Sequence, residues 1–455
     1  MTTSTIFALS TPPGRSAIAV IRMSGPHTGA LLDAMCSSRP QPRTAALRRL
    51  KDPATGDILD EALVLYFASP KTETGEDMAE FQVHGGKAIV RAVLDTLSRQ
   101  PGCRPAEPGE FAQRAFANGK LDLAQIEGLA DLIDAETQGQ RRQAIAQATG
   151  LQSKRFDAWR AELLRTMGLV EAAIDFSDEG DVSDNAVAQA EGAARNLRAD
   201  LAAHLDDGHR GEILREGFRV VLAGPPNAGK SSLLNALARR DAAIVSEEAG
   251  TTRDVIDVRL DLDGHAVIVS DTAGIRETSS SVEQEGIRRT LEATRDADLV
   301  LWLNFAHPQD GSNTPPPCGE GLGVGVGRPS QVLQIATKSD LLAPESRIHV
   351  KQDAFDFAIS AKTGVGLDAL VAHIAARARD ATGNASDPAI TRVRHRRELE
   401  SAVAHIDTFL ATPGNPIELR AEDLRLAASA LARLTGRIDA EHVLGEIFSR
   451  FCIGK

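Results

Sequence analysis

An apolar run, a glycine-bearing loop and a second apolar run follow one another through residues 218–237, and few folds accept that order. Phe218 to Ala223 reads as a buried strand, and Ser232 to Leu237 reads as the opening of a helix. Between them Gly224 to Ser231 (GPPNAGKS) fits the phosphate-loop pattern G-x-x-x-x-G-K-S/T. A chain patterned this way folds as a strand–loop–helix unit of an α/β sheet. Glycines let backbone N–H groups close around a triphosphate, and the helix N-terminus adds favourable partial charge. The cradle runs over Asn227, Ala228, Gly229, Lys230, Ser231 and Ser232. Lys230 reaches the outer phosphates and the Ser231 hydroxyl binds magnesium. A glycine-rich turn in a Rossmann-like unit is the competing reading, and the downstream sequence counts heavily against it.

Val267 to Ser270 reads as a strand that ends in Asp271, Thr272, Ala273 and Gly274. An aspartate there can hold a magnesium-bound water, and the Gly274 N–H can meet the terminal phosphate. Leu299 to Leu303, carrying Trp302, reads as a structural strand. Val332 to Ala336 leads into Thr337, Lys338, Ser339 and Asp340. A carboxylate at Asp340 accepts from two N–H groups on a guanine edge, a pair that adenine lacks, while Lys338 lies along the base plane. Phe357 to Ile359 leads into Ser360, Ala361 and Lys362, where the Ala361 N–H can meet the guanine carbonyl oxygen. This order and spacing, from about Phe218 to Arg379, are those of a small GTPase-type domain, and GTP is the expected ligand.

Two positions depart from the common pattern. Thr337 stands where most such domains have Asn and lacks the amide that bonds both the base and the neighbouring loop. One lost neutral hydrogen bond costs about 0.5–1.5 kcal/mol, so weaker binding with guanine selectivity kept is expected. Equal affinity for ATP and GTP would contradict this. Ile275 follows Gly274, where Ras-like proteins place a water-orienting Gln, and an alkyl group cannot orient water. The nearest replacements are Glu277, Glu283 and Glu285, with Arg253 and Arg276 as candidate charge donors. Upstream, Ile244 to Asp254 supplies a switch segment in which Thr252 is the second magnesium ligand beside Thr251.

At 455 residues the chain has room for two to four domains. A net charge of −12 argues against wholesale nucleic-acid coating but leaves local basic runs at Arg392 to Arg397 and at Arg48, Arg49 and Lys51. These read equally as solvated faces. Cys36, Cys103, Cys318 and Cys452 form no C-x-x-C pair, which disfavours a zinc site and a disulfide scaffold. With no signal peptide and no bilayer-length apolar run, a soluble cytoplasmic protein with no membrane partner is expected.

Residues up to about Gly119 mix β-branched runs (Ala17 to Ile21, Ala62 to Phe67) with Pro/Gly turns, the pattern of an α+β domain. From Leu121 the period turns helical: Leu163, Met167, Val170 and Ile174 share a face, and Asp175 to Asp181 reads as a turn between long helices. Helical spacing resumes at Leu399, Val403, Ile406 and Leu410 and again at Val443, Ile447 and Phe451. The economical reading is one helical domain into which the GTPase domain is inserted, with junctions near Gly211 and Gly383. His307 to Ser330, rich in Gly and Pro without apolar period, reads as a disordered surface insertion.

The two ends of the chain carry a specific resemblance. Thr11 to Gly25 (TPPGRSAIAVIRMSG), Gly75 to Gly86 (GEDMAEFQVHGG), Pro108 to Phe116 (PGEFAQRAF), Lys120 to Gln125 (KLDLAQ) and the terminal Phe451 to Lys455 (FCIGK) resemble the MnmE (TrmE) family of tRNA-modification GTPases. The resemblance implies an α+β tetrahydrofolate-binding and dimerisation domain (1–119), an all-α helical domain in two parts (120–213 and 383–455), and an inserted α/β Ras-like P-loop GTPase domain (214–382). It implies a homodimer working with tRNA and an FAD-containing MnmG (GidA) subunit in a heterotetramer. Together these add a carboxymethylaminomethyl group to carbon 5 of the wobble uridine of certain tRNAs.

Residue by residue, the resemblance implies that Arg22, Glu80, Lys120 and Lys455 hold 5-formyltetrahydrofolate or methylene-tetrahydrofolate, with Cys452 as a functional thiol. Asn227 matches a potassium ligand, helped by Ser246, Glu248 and Thr251 in a nucleotide-contacting segment that also contains Glu247, Ala249 and Gly250. Glu283 matches the catalytic glutamate, replacing the absent Gln. A ribosome-assembly GTPase of the Era or Der kind is the alternative; it calls for a KH-type module or a second GTPase unit, and the chain holds no second phosphate-loop pattern.

Overall fold

The computed structural model describes residues 4–175, 180–240, 242–244, 257–271, 297–305, 331–341, 355–383, 389–438 and 454. The chain forms two compact units. The first takes Met1–Ala130, Gln147–Arg195 and Ala404–Lys455, and the second takes Asp131–Ala146 and Asn196–Val403.

Period-two alternation builds the sheet of the first unit. Its strands are β1 (Thr5–Leu9), β2 (Ile18–Ser24), β3 (Ala46–Lys51), β4 (Ile58–Phe67), β5 (Met78–His84) and β6 (Cys103–Pro105), in the order β3-β4-β5-β2-β1-β6. β1 and β6 pair in parallel, the other neighbours antiparallel. Ala19, Ile21, Met23, Ala79, Phe81 and Val83 alternate onto one face. There they bury against Leu32 and Met35 of the helix Thr28–Cys36 and against Val93 and Leu97 of the helix Lys87–Ser98. A fully buried side chain of this size contributes about 1.5–3 kcal/mol. The opposite phase of the same strands sets Arg22 across from Glu80.

In the helical part of this unit, the helix Leu151–Asp175 packs against the helix Ile417–Leu434. Its buried stripe is Phe156, Trp159, Leu163, Thr166, Val170 and Ala173. Met167 and Ile174, expected on that stripe, lie half-buried at its margin. The stripe is displaced because Thr166 can be buried: its hydroxyl donates to Glu162 O at 3.0 Å, within its own helix. The next helix, Gly180–Leu205, begins inside the stretch expected as a turn: Asp175 ends one helix and Asp181 belongs to the next, while residues 176–179 lie outside the described ones. Similarly, the helix Val393–Ala411 buries Leu399, Ala402, Ile406 and Phe409, leaving Val403 and Leu410 half-buried.

The second unit contains β7 (Phe218–Ala223), β8 (Asp257–Leu262), β9 (His265–Asp271), β10 (Leu299–Phe305), β11 (Gln331–Thr337) and β12 (Phe357–Ala358), in the order β12-β11-β10-β7-β9-β8. All neighbours are parallel except the β8–β9 hairpin. Parallel strands buried on both faces read as continuous apolar runs, which is why these strands were visible in the sequence. Val220, Leu222, Val267, Val269, Leu301, Leu303 and Ile335 pack under Leu233 and Leu237 of the helix Lys230–Ala238 and Leu370 and Ile374 of the helix Leu367–Thr382.

The chain enters and leaves this α/β region at one place. A Cβ on Gly211, in the helix Arg210–Glu216, would lie 2.3 Å from the Ile390 carbonyl oxygen, and Gly383 ends the helix Leu367–Thr382 with φ of 61°. Adjacent crossings are what an inserted domain requires. The molecule thus combines an α+β N-terminal domain, an all-α helical domain and an inserted α/β domain.

The basic run at 392–397 is not a free cationic face. Arg392 reaches Asp131 at 2.7 Å, and Arg396 pairs with Asp207 at 2.7 Å and Glu212 at 3.0 Å. Two of its guanidiniums therefore serve as internal ties, while Arg397 remains exposed. Residues 307–330 and Val443, Ile447 and Phe451 lie outside the described residues. No described helix is long and apolar enough to cross a membrane.

Candidate functional site

In the second unit, β7 stops at Ala223 and the following helix starts at Lys230, leaving residues 224–229 as the loop. Gly224 has φ of 139°, and a Cβ there would lie 2.2 Å from the Leu303 carbonyl oxygen, so the loop passes β10 only as glycine. Asn227 sits in the left-handed region at φ of 63°, which Asn tolerates better than branched residues. Lys230 is 8 % exposed, and its Nζ donates to Gly224 O at 2.8 Å and Pro225 O at 3.1 Å. Burial lowers its pKa, partly offset by the negative charge of Asp271. The ammonium is therefore held over the loop by carbonyls that phosphate oxygens can replace.

Ser231 Oγ donates to Asp271 Oδ2 at 2.9 Å, across from the end of β9. A hydroxyl and a carboxylate offer oxygen donors only, a set that suits a hard cation such as magnesium. Ser232 follows on the exposed side of the same helix.

The elements expected to bind the base converge on the same edge. Thr337 closes β11, and its Oγ1 lies 2.6 Å from Ala228 O and 3.1 Å from Asn304 O. The hydroxyl thus makes the bond to the neighbouring loop without an amide. Lys338 takes φ of 55° and places Nζ 5.0 Å from the Phe305 ring centroid, a cation–π contact that holds its stem. Ser360, fully buried, donates its hydroxyl to Asp340 Oδ1 at 2.7 Å and accepts from the Thr363 N–H at 3.2 Å. Ser339 N–H donates to Ile359 O at 3.1 Å, joining the two base loops. Ala361 is half-buried and Lys362 exposed. Carboxyl ends of parallel strands thus bring Lys230, Ser231, Asp271, Thr337, Asp340 and Ser360 together, as ligand sites in open α/β sheets require.

Several expected residues lie outside the described ones: Ser246, Glu247, Glu248, Ala249, Gly250, Thr251, Thr252, Arg253, Thr272, Ala273, Gly274, Arg276, Glu277, Glu283 and Glu285 in the switch segments, and Cys452 and Lys455 at the end.

In the first unit, Arg22 and Glu80 face each other across β2 and β5, and Arg22 Nε and Nη2 reach Glu80 Oε1 at 3.2 and 3.1 Å. Arg22 Nη1 also meets Glu73 Oε2 at 3.0 Å, a partner that no periodicity in the sequence signals. Lys120 comes to the same loop: a Cβ on Gly75 would lie 3.0 Å from Lys120 Cε. Gly454 docks on the end of β1, with Ser10 Oγ donating to Gly454 O at 3.0 Å, and β1 lies beside β2 in the sheet. Arg22, Glu80, Lys120 and Gly454 are therefore gathered around one sheet.

Beneath them, Arg114 is 3 % exposed and binds Glu76 at 2.9 Å, Glu110 at 3.0 Å and Ser4 O at 2.9 Å. The sequence signal for this tie was the Glu110–Arg114 spacing of one helical turn. Burial pushes the Cys36 thiol up to about 11 and raises that of Cys103, so neither is poised as a thiolate.

The family model described as "GTP-binding protein TrmE N-terminus" matches residues 5–120, and the one described as "MnmE helical domain" matches residues 123–452. The tRNA modification GTPase MnmE of Beijerinckia indica is 50% identical over 454 residues, covering 100% of this chain and 96% of that protein. Its namesake from Methylobacterium radiotolerans is 51% identical over 456 residues, covering 100% and 99%. That from Caulobacter vibrioides is 48% identical over 459 residues, covering both chains fully, at 100% and 100%. Likeness of this extent sets aside the Era or Der alternative, and the chain belongs to the MnmE/TrmE family of tRNA-modification GTPases.

Proposed function

We propose that this chain hydrolyses GTP in a potassium-dependent manner to drive tRNA wobble-uridine modification, adding a carboxymethylaminomethyl group at carbon 5 with an FAD-containing MnmG-type partner. The observation that carries the hydrolase reading is the meeting of Lys230, Ser231, Asp271 and Asp340 at one sheet edge. Loop N–H groups from Asn227 to Lys230 receive the phosphates, and Lys230 exchanges two carbonyls for the outer oxygens. Asp340 and the Ala361 N–H take the guanine edge. Ser231 and Thr252 would hold magnesium, which neutralises charge on the phosphate oxygens. Asn227, Ser246, Glu248 and Thr251 would hold potassium, supplying the charge that an arginine finger supplies elsewhere. Glu283 orients the attacking water.

In the first unit, Arg22, Glu80, Lys120 and Lys455 would hold 5-formyltetrahydrofolate or methylene-tetrahydrofolate, with cations for the carboxylate tail and a carboxylate for the pterin edge. The docking of Gly454 at the end of β1, the strand next to β2, supports a role for the Cys452 thiol there. The homodimer through N-terminal domains and the heterotetramer with the partner rest on family likeness.

Hydrolysis by the full chain, compared in potassium and sodium buffers, tests the reading. Turnover stimulated by potassium alone, and lost in Glu283→Ala with GTP binding retained, is expected. Equal turnover in both buffers would overturn the cation assignment.

A further inference from the structure

The hydroxyl of Thr337 lies between two carbonyl oxygens, 2.6 Å from Ala228 O in the phosphate loop and 3.1 Å from Asn304 O at the end of β10. The residue is 4 % exposed, so water does not relieve this arrangement. A hydroxyl has one hydrogen to donate, and both neighbours are acceptors only. The proton is therefore committed inside the protein. A purine presents N7 on its imidazole edge purely as an acceptor, so only a donor can read it. An asparagine amide carries two N–H donors and can serve the loop and the base together. Asp340, held by Ser360 at 2.7 Å, addresses the N–H groups on the other edge of the base.

We infer that Thr337 keeps the link between the phosphate loop and the base-binding strand but leaves guanine N7 unread, so that this chain accepts guanine nucleotides altered at position 7. The inference deepens the GTP-binding reading of the site and rests on it. Guanine selectivity then resides in Asp340 and the Ala361 N–H.

The test is a calorimetric titration of the full-length chain with GDP and with 7-deaza-GDP, in which N7 is replaced by C–H. Wild type is expected to bind the two within about twofold of each other. Thr337→Asn gains an N7 donor and should lose about 2- to 12-fold in affinity for the deaza compound relative to GDP. Thr337→Val removes the loop link alone and should weaken both ligands alike, a pattern that a purely structural role at the base edge would not give. A loss beyond about fivefold in wild type, or no deaza sensitivity in Thr337→Asn, would overturn the inference. Failure of wild type to bind either ligand would instead remove the GTP-binding reading itself.

Discussion

Ser231 Oγ donates to Asp271 Oδ2 at 2.9 Å, tying the first turn of the phosphate-loop helix to the end of β9. A hydroxyl and a carboxylate offer the oxygen ligands that magnesium prefers. Asp271→Asn keeps the shape but removes the charge, and should raise the magnesium needed for half-maximal GTP hydrolysis by about 10- to 100-fold. A magnesium titration of turnover checks this; an unaltered midpoint would contradict the assignment.

Arg22 and Glu80 are 21% and 19% exposed, a partly solvated pair that contributes about 0–1 kcal/mol to stability. Arg22→Met should therefore leave the melting temperature almost unchanged. Loss of a charged hydrogen bond to the ligand should still weaken 5-formyltetrahydrofolate binding by about 10-fold or more. Titration of the full chain with that compound measures it, and GTP turnover, measured in parallel, should stay at the wild-type level.

The β8–β9 hairpin is anchored at its tip. Gly139 N–H donates to Gly264 O at 2.9 Å, a Cβ on Gly139 would lie 2.8 Å from that oxygen, and Arg259 of β8 pairs with Glu136 at 2.9 Å. Gly139→Val must push the hairpin away and should cost about 1–3 kcal/mol. Glu136→Ala breaks only the partly exposed pair and should cost less than about 1 kcal/mol. Thermal unfolding of the two variants side by side distinguishes them, and equal melting would show that the backbone contact is dispensable.

Glu110 carries the expected pH dependence. Burial pushes its carboxyl up, but hydrogen bonds from Arg104, the Glu107 N–H and Arg114 outweigh that and hold it below the ordinary 4.5. A carboxyl whose folded pKa is depressed stabilises the fold above its unfolded value and loses that contribution as pH falls through the folded one. Acid unfolding of wild type should therefore steepen below pH 4.5. Glu110→Gln removes one charge from a network in which Arg114 keeps Glu76 and the Ser4 carbonyl, should cost about 1–3 kcal/mol at neutral pH, and should flatten the acid limb. Stability curves against pH for both chains provide the check.

The parallel strands and the phosphate loop were legible because burial on both faces writes apolar runs and because Gly224 has no alternative beside Leu303. The helical stripes were read correctly at Leu163, Val170, Leu399 and Ile406 but one position off between them, because Thr166 and Ala402 contribute to buried faces without being large apolar residues. Tertiary pairing was invisible. Arg392 and Arg396 looked like a surface charge run because their partners, Asp131, Asp207 and Glu212, come from distant parts of the chain. Glu73, which shares Arg22 with Glu80, sits in a loop without period. Thr337 could be recognised as a departure, but its bond to Ala228 depends on how two loops meet.

The most direct test replaces the native family member in a bacterial strain with this chain and quantifies the wobble nucleoside of its tRNA by mass spectrometry. The wild-type chain should restore the carboxymethylaminomethyl uridine, and Lys230→Ala, soluble but unable to engage the outer phosphates, should leave the uridine unmodified. Full restoration by Lys230→Ala would contradict the claim that hydrolysis at this loop drives the modification.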